Sequence, residues 1–181
     1  MSRLFRRALC YATSMGWELK QLRARNLRAA VDLAKQYRDL NQPEDAESIC
    51  RDVLEVSPYD EDAWRTLGLA LTDQFASSWM MLFDEACAAF SKLRSEYERL
   101  YFTGVAWERY AKAQLGAGHS NNAIHAFEQA MELFDRADGL GSADDPRPVL
   151  HYNRCVRALT RTPELAHVSM VPEEPAFEFN D

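Results

Sequence analysis

Trp64-Arg65-Thr66-Leu67-Gly68 puts an aromatic, an aliphatic and a glycine on one face of a helix, with the glycine where a second helix can cross closely. Downstream, Ala86-x3-Phe90-x2-Leu93 sets a small residue, a bulky one four later and another apolar one three after that on a single face. The same spacing recurs at Ala46-x3-Cys50-x2-Val53 and Ala123-x3-Phe127-x2-Ala130. Three occurrences describe three helix pairs whose second helices pack by one rule. The helices ahead of them follow less uniformly, with Ala30, Leu33 and Ala34 in the first unit and Trp107, Tyr110 and Ala111 in the third. Seven Gly and seven Pro, gathered in short stretches such as 116–118 and 138–148, favour helices over many short strands.

These residues resemble tetratricopeptide repeats, through W-x2-L-G at 64–68, the Ala and Phe pattern after it, and Ser57-Pro58 closing the first unit. The resemblance covers residues 27–136. It implies an all-α fold, a right-handed superhelix of stacked antiparallel helix hairpins with capping helices at both ends. On this reading residues 1–26 are a basic N-terminal capping helix and 27–136 are three helix pairs. Residues 137–162 are a loop and a C-terminal capping helix with Val149, Tyr152, Asn153, Val156 and Leu159 near one face, and 163–181 are an acidic, Pro-containing, disordered tail. The family period is about 34 residues. Here Ala46 to Ala86 is 40 and Ala86 to Ala123 is 37, with the excess near 74–83 and 97–103. Neither stretch holds a helix breaker, so longer helices are expected there. Asn41 with Pro43, Ser57-Pro58, Ser120 and Asp145-Pro146 mark helix starts, giving about eight helices.

The 181 residues carry a formal net charge of −7, which argues against nucleic acid as partner, since phosphate binding needs a dense basic surface. The charge is uneven. Residues 1–28 hold seven Arg and Lys against Glu18 alone, while 172–181 hold only acids. The four cysteines sit singly without a CxxC pair, and a reducing cytosol is the simpler home. No unbroken apolar run approaches the ~20 residues that span a bilayer, although the Arg-rich, acid-poor start also resembles an organelle presequence.

In the family, the first helix of each pair lines a concave groove. The resemblance therefore assigns to it Arg28, Val31, Lys35 and Arg38, then Asp62, Arg65, Leu69 and Thr72, then Val105, Glu108, Arg109, Lys112 and Leu115. Six of these thirteen are cations and two are acids, so a basic hollow is expected inside an acidic protein. The peptide-binding residues are Arg28, Val31, Lys35, Arg38, Arg65, Leu69, Val105, Arg109, Lys112 and Leu115. Exposed ion pairs contribute only ~0.2–1 kcal/mol each, short of the ~8 kcal/mol of a micromolar complex, so Val31, Leu69, Val105 and Leu115 serve as apolar anchors. The subclass that grips chaperone C-termini uses Lys, Asn, Asn, Lys and Arg. This chain has Val31, Lys35, Thr66, Val105 and Arg109 there, and only the last fits.

The expected function is that of a non-enzymatic cytoplasmic adaptor or scaffold for an acidic, partly apolar protein segment, with no cofactor or metal. Self-association through the tail M-V-P-E-E-P-A-F-E-F-N-D (170–181) is a further reading. Alternatives are a small chaperone for secreted proteins, which three repeats in an acidic chain resemble, and membrane-surface attachment through Leu4, Phe5, Ala8, Tyr11, Ala12 and Met15. His151 and Cys155 share a helix face at metal-ligand spacing, but two ligands do not make a site. Residues 135–145 lack oxygen ligands where a calcium loop needs them, and 139–141 lack a preceding strand for a phosphate loop. The apolar stretch F-A-S-S-W-M-M-L-F (75–83) is expected to pack Trp79, Leu82 and Phe83 into neighbouring helices.

Overall fold

A computed structural model describes residues 18–141 and 144–161. The described residues form seven α-helices and no strand. A 3-10 turn (Ala24–Asn26) leads into α1 (Leu27–Asp39), α2 (Pro43–Val56), α3 (Glu61–Asp73), α4 (Phe75–Phe90), α5 (Glu96–Gly116), α6 (Ser120–Leu140) and α7 (Arg147–Arg161).

Local chemistry sets these boundaries. Between α1 and α2, Asn41 adopts a left-handed φ of 58°, which Asn tolerates better than most residues, and Pro43 opens α2 where no amide hydrogen is needed. The Asp60 carboxylate caps α3 by accepting from the Ala63 amide at 2.9 Å, two residues beyond the expected Ser57-Pro58 start. Asp145 does the same ahead of α7, accepting from the Arg147 amide at 3.1 Å. The extra residues are helical, continuously in α5 with 21 residues and with an interruption in the 16 residues of α4, against 13 in α3. Within α4 the backbone leaves helical geometry at Ser78 (φ −141°, ψ 23°), which re-aims the residues after it.

Each helix packs on the next in sequence, and α1, α3, α5 and α7 also touch one another in turn. The repeated small residues sit at those crossings, with Ala46, Ala86 and Ala123 fully buried. Gly68 and Phe90, from separate motifs, meet: a Cβ on Gly68 would lie 2.4 Å from the Phe90 ring. Gly104 and Phe134 repeat the arrangement one unit on, at 2.7 Å. Most buried residues form one cluster from Ala34 to Cys155, while Val31, Val53 and Ala63 form a small separate one under Leu22 and Leu27.

Trp79, Leu82 and Phe83 pack against the main core, as expected. Phe83 stands edge-on to Trp107 at 4.6 Å, and Trp79 edge-on to Tyr110 at 5.3 Å. Three expectations need correction. Leu33 is 43% exposed, because α1 turns Val31 and Ala34 inward instead. On α7, Val149 is exposed and the fully buried positions are Pro148 and Cys155, while Tyr152 and Leu159 of the expected face do pack against the main core. Residues 18–23 are not helical, so the capping helix assigned to 1–26 does not reach α1. Residues 1–17 and the tail 163–181 lie outside the described residues.

Candidate functional site

Helix spacing brings the charges of α1, α3 and α5 onto one shared face. Arg28, Asp32 and Lys35 follow one another at i, i+4 and i+7 on α1, facing Asp62 on α3. Asp62 accepts from Lys35 Nζ at 3.2 Å and from Arg65 one turn on, and Arg28 lies 3.8 Å away. Burial pushes the Asp62 carboxyl up, but hydrogen bonds from Lys35 and Arg65 outweigh it and hold the group below its ordinary value. Arg65 then reaches α5, donating to both carboxylate oxygens of Glu98 at 2.9 and 3.0 Å.

A second bridge crosses the same helices. Asp73 ends α3, where the helix dipole disfavours an anion, yet it receives Arg38 Nε of α1 at 2.7 Å and Arg109 of α5. Arg109 also donates to Thr72 Oγ1 at 2.5 Å and to the Leu69 carbonyl at 3.3 Å. Burial lowers its pKa from the usual guanidinium value.

At the far end Glu108 is 1% exposed under α7. It accepts from Lys112 Nζ at 2.6 Å, Arg154 Nε at 2.6 Å and Arg154 Nη2 at 2.8 Å, and pairs with His151 Nδ1 at 2.7 Å. His151 Nε2 is 3.0 Å from the Tyr101 hydroxyl. Burial alone would raise the Glu108 pKa, but the bonds from His151, Arg154 and Lys112 prevail and lower it to about 2. Glu108 is thus a structural anchor for α7 and not a groove residue.

The cations expected in a basic hollow are therefore held by acids. Asp32, Asp73 and Glu98 join Asp62 and Glu108 on this face, and Arg28, Lys35, Arg38, Arg65, Arg109 and Lys112 each make an ion pair. Val105 (4% exposed) is a core residue; Val31 (1%) is buried too but lines the floor of the cavity described next, and Leu69 and Leu115 are half-buried. Sequence reasoning missed Asp73 and Glu98 because their partners lie 33 to 36 residues away, beyond any helical period, whereas Asp32 stands at ordinary i, i+3 and i, i+4 spacing from Lys35 and Arg28 and was open to a sequence reading.

A cavity of about 550 Å³ opens on this face between the starts of α1 and α3. Arg25, Arg28 and Arg94 frame it beside Tyr59, which is 85% exposed, with Leu27 among its apolar lining. Asp60 is occupied as the α3 cap, and Glu61 accepts from the Arg94 amide at 2.6 Å. Arg94 and Tyr59 were not among the residues expected.

Cys155 is fully buried, and burial pushes its thiol up to about 12, so beside His151 it stays protonated at neutral pH. Among the described residues no group of three or more His, Cys, Asp or Glu is placed to hold a metal, and no helix is long and apolar enough to cross a membrane. No family model matches the chain, and no curated protein matches its sequence significantly.

Proposed function

We propose that this chain is a non-enzymatic protein-interaction module of tetratricopeptide type, which holds an acidic, partly apolar peptide segment on the face shared by α1, α3 and α5. In this reading the helices wind as a right-handed superhelix, that face is its concave side, and the protein serves in the cytoplasm as an adaptor. The contacts between alternate helices and the Gly68 to Phe90 crossing support the architecture. The single observation that carries the binding assignment is the cavity where exposed Tyr59 stands among Arg25, Arg28 and Arg94.

The chemistry narrows the ligand. An acidic group displaces exposed, weak pairs here, such as Arg28 with Asp62 at 3.8 Å, and not the tighter Arg65 to Glu98 pair. Charge alone falls short of the ~8 kcal/mol of micromolar binding, so the segment must also cover Tyr59 and Leu27 with an aromatic or aliphatic side chain. A labelled acidic peptide bearing two phenylalanines, titrated into the full chain, tests this. Micromolar affinity that falls about tenfold or more in R28E/R94E, a loss of ~1.4 kcal/mol, and weakens with salt is the expected outcome. Equal affinity for wild type and variant would overturn it.

A further inference from the structure

A second cavity, of about 380 Å³, opens on a different face of α3, between α2 and α4. Trp64 and Leu67 of α3 line it with Leu54 of α2 and Ala88 of α4, so it is largely apolar. Its α2 edge is acidic. That helix carries Glu44, Asp45, Glu47, Asp52 and Glu55 against Arg51 alone, and Asp52 and Glu55 both line the cavity. Glu47 is already taken up by Arg51 and Gln74. Asp52 and Glu55 are exposed and have no cationic partner among the described residues. Partial burial, and after it the charge of Glu55, hold the Asp52 carboxyl above its ordinary value. Arg51 and Glu85 also line the cavity but pair with each other, and Lys92 lies at its α4 edge, so the unpaired carboxylates are confined to the α2 edge, where an apolar and basic segment fits.

The chain supplies such a segment beside the opening. Leu19 already lines the cavity while 65% exposed, and Trp17 precedes it by two residues, a reach of roughly 7 Å. Residues 1–17 carry Arg3, Arg6 and Arg7 with no acid, and the apolar Phe5, Tyr11 and Trp17. We infer that this segment docks in cis on the α2 and α4 face, with the Trp17 indole in the cavity and its arginines against the carboxylates of α2. The polypeptide thereby covers the apolar part of that face itself, and the effective concentration of a tethered segment favours it over one arriving from solution.

The test uses the full chain labelled with 5-fluorotryptophan, with Trp17→Phe assigning the Trp17 fluorine signal. A soluble gadolinium chelate should relax that signal several-fold more slowly in wild type than in Ala88→Arg. Ala88 is exposed on α4, so the arginine blocks the cavity without entering the core. Asp52→Lys with Glu55→Lys should expose Trp17 in the same direction, with far-UV circular dichroism unchanged. Relaxation of Trp17 equal in wild type and Ala88→Arg overturns the inference. Protection that vanishes on dilution also overturns it, and assigns the cavity to a second copy instead.

Discussion

The two ends of the helix array are tied by opposite devices. Around Asp62 the links between α1 and α3 are ion pairs that water reaches: Arg28 is 78% exposed, Lys35 41% and their shared Asp62 36%, whereas Arg38 and Asp73 farther along the same helices are 19% and 21% exposed. Between α5 and α7 the link is Glu108, 1% exposed and bonded by Lys112, Arg154 and His151. Solvent screens the first kind, so each pair is worth under about 1 kcal/mol. A buried carboxylate is costly to remove from its partners, because the desolvation already incurred is no longer offset. The number of charges is similar at both ends; burial makes the difference. The weakly tied end is also where the face opens, around Tyr59. Rigidity and access are thus divided between the two ends.

The sharpest way to break this contrast is Glu108→Ala, expected to destabilise the chain by about 3–5 kcal/mol in urea unfolding and to expose the α6 and α7 amides to hydrogen exchange. A loss under about 1 kcal/mol would equate the two ends. Next comes acid. The Glu108 pKa is depressed from 4.5 to about 2 on folding, so its contribution of about 3 kcal/mol is fully present above pH 4.5 and is lost as pH falls toward 2. Subtracting the pH profile of Glu108→Gln from that of wild type should isolate that slope. Gly68→Ala probes the crossing between them: a gain of about 1 kcal/mol in helix propensity sits against roughly 1–3 kcal/mol of overpacking on Phe90, for a net loss read by thermal unfolding. Smallest is Asp62→Ala, expected below about 1 kcal/mol and shrinking further in high salt. A larger effect would mean that the α1 to α3 pairs act as a network.

Where a reading depended on periodicity, the chain was transparent. Ala46, Ala86 and Ala123 are all at 0% exposure, and the extra residues are taken up as helix in α5 and as helix with a kink at Ser78 in α4. The assignment of Val105 to a ligand face failed for a geometric reason. Val105 lies two residues from the half-buried Thr103 and Trp107, and a helix turns 100° per residue, so a modest rotation of α5 moves a side chain from the open side into the core. On α7 the same slip leaves Val149 exposed and buries Pro148 and Cys155, while Tyr152 and Leu159 still pack on the core. Pairing was less legible still. A lysine four residues from a glutamate can be read from a string, but Arg38 meets Asp73 across 35 residues and Arg154 meets Glu108 across 46. Only the stacking of α1, α3, α5 and α7 brings those groups together, so a hollow that looked cationic by local count proved compensated.

Glu108 has one more effect, on growth of the stack. A helix array of this kind offers its last pair as a template on which another unit could lay itself down. With Arg154 and His151 already bonded to that carboxylate, an incoming helix would find its most attractive foothold occupied. α7 therefore meets the Glu108 carboxylate of α5 entirely from within the chain, by chemical saturation and not by bulk.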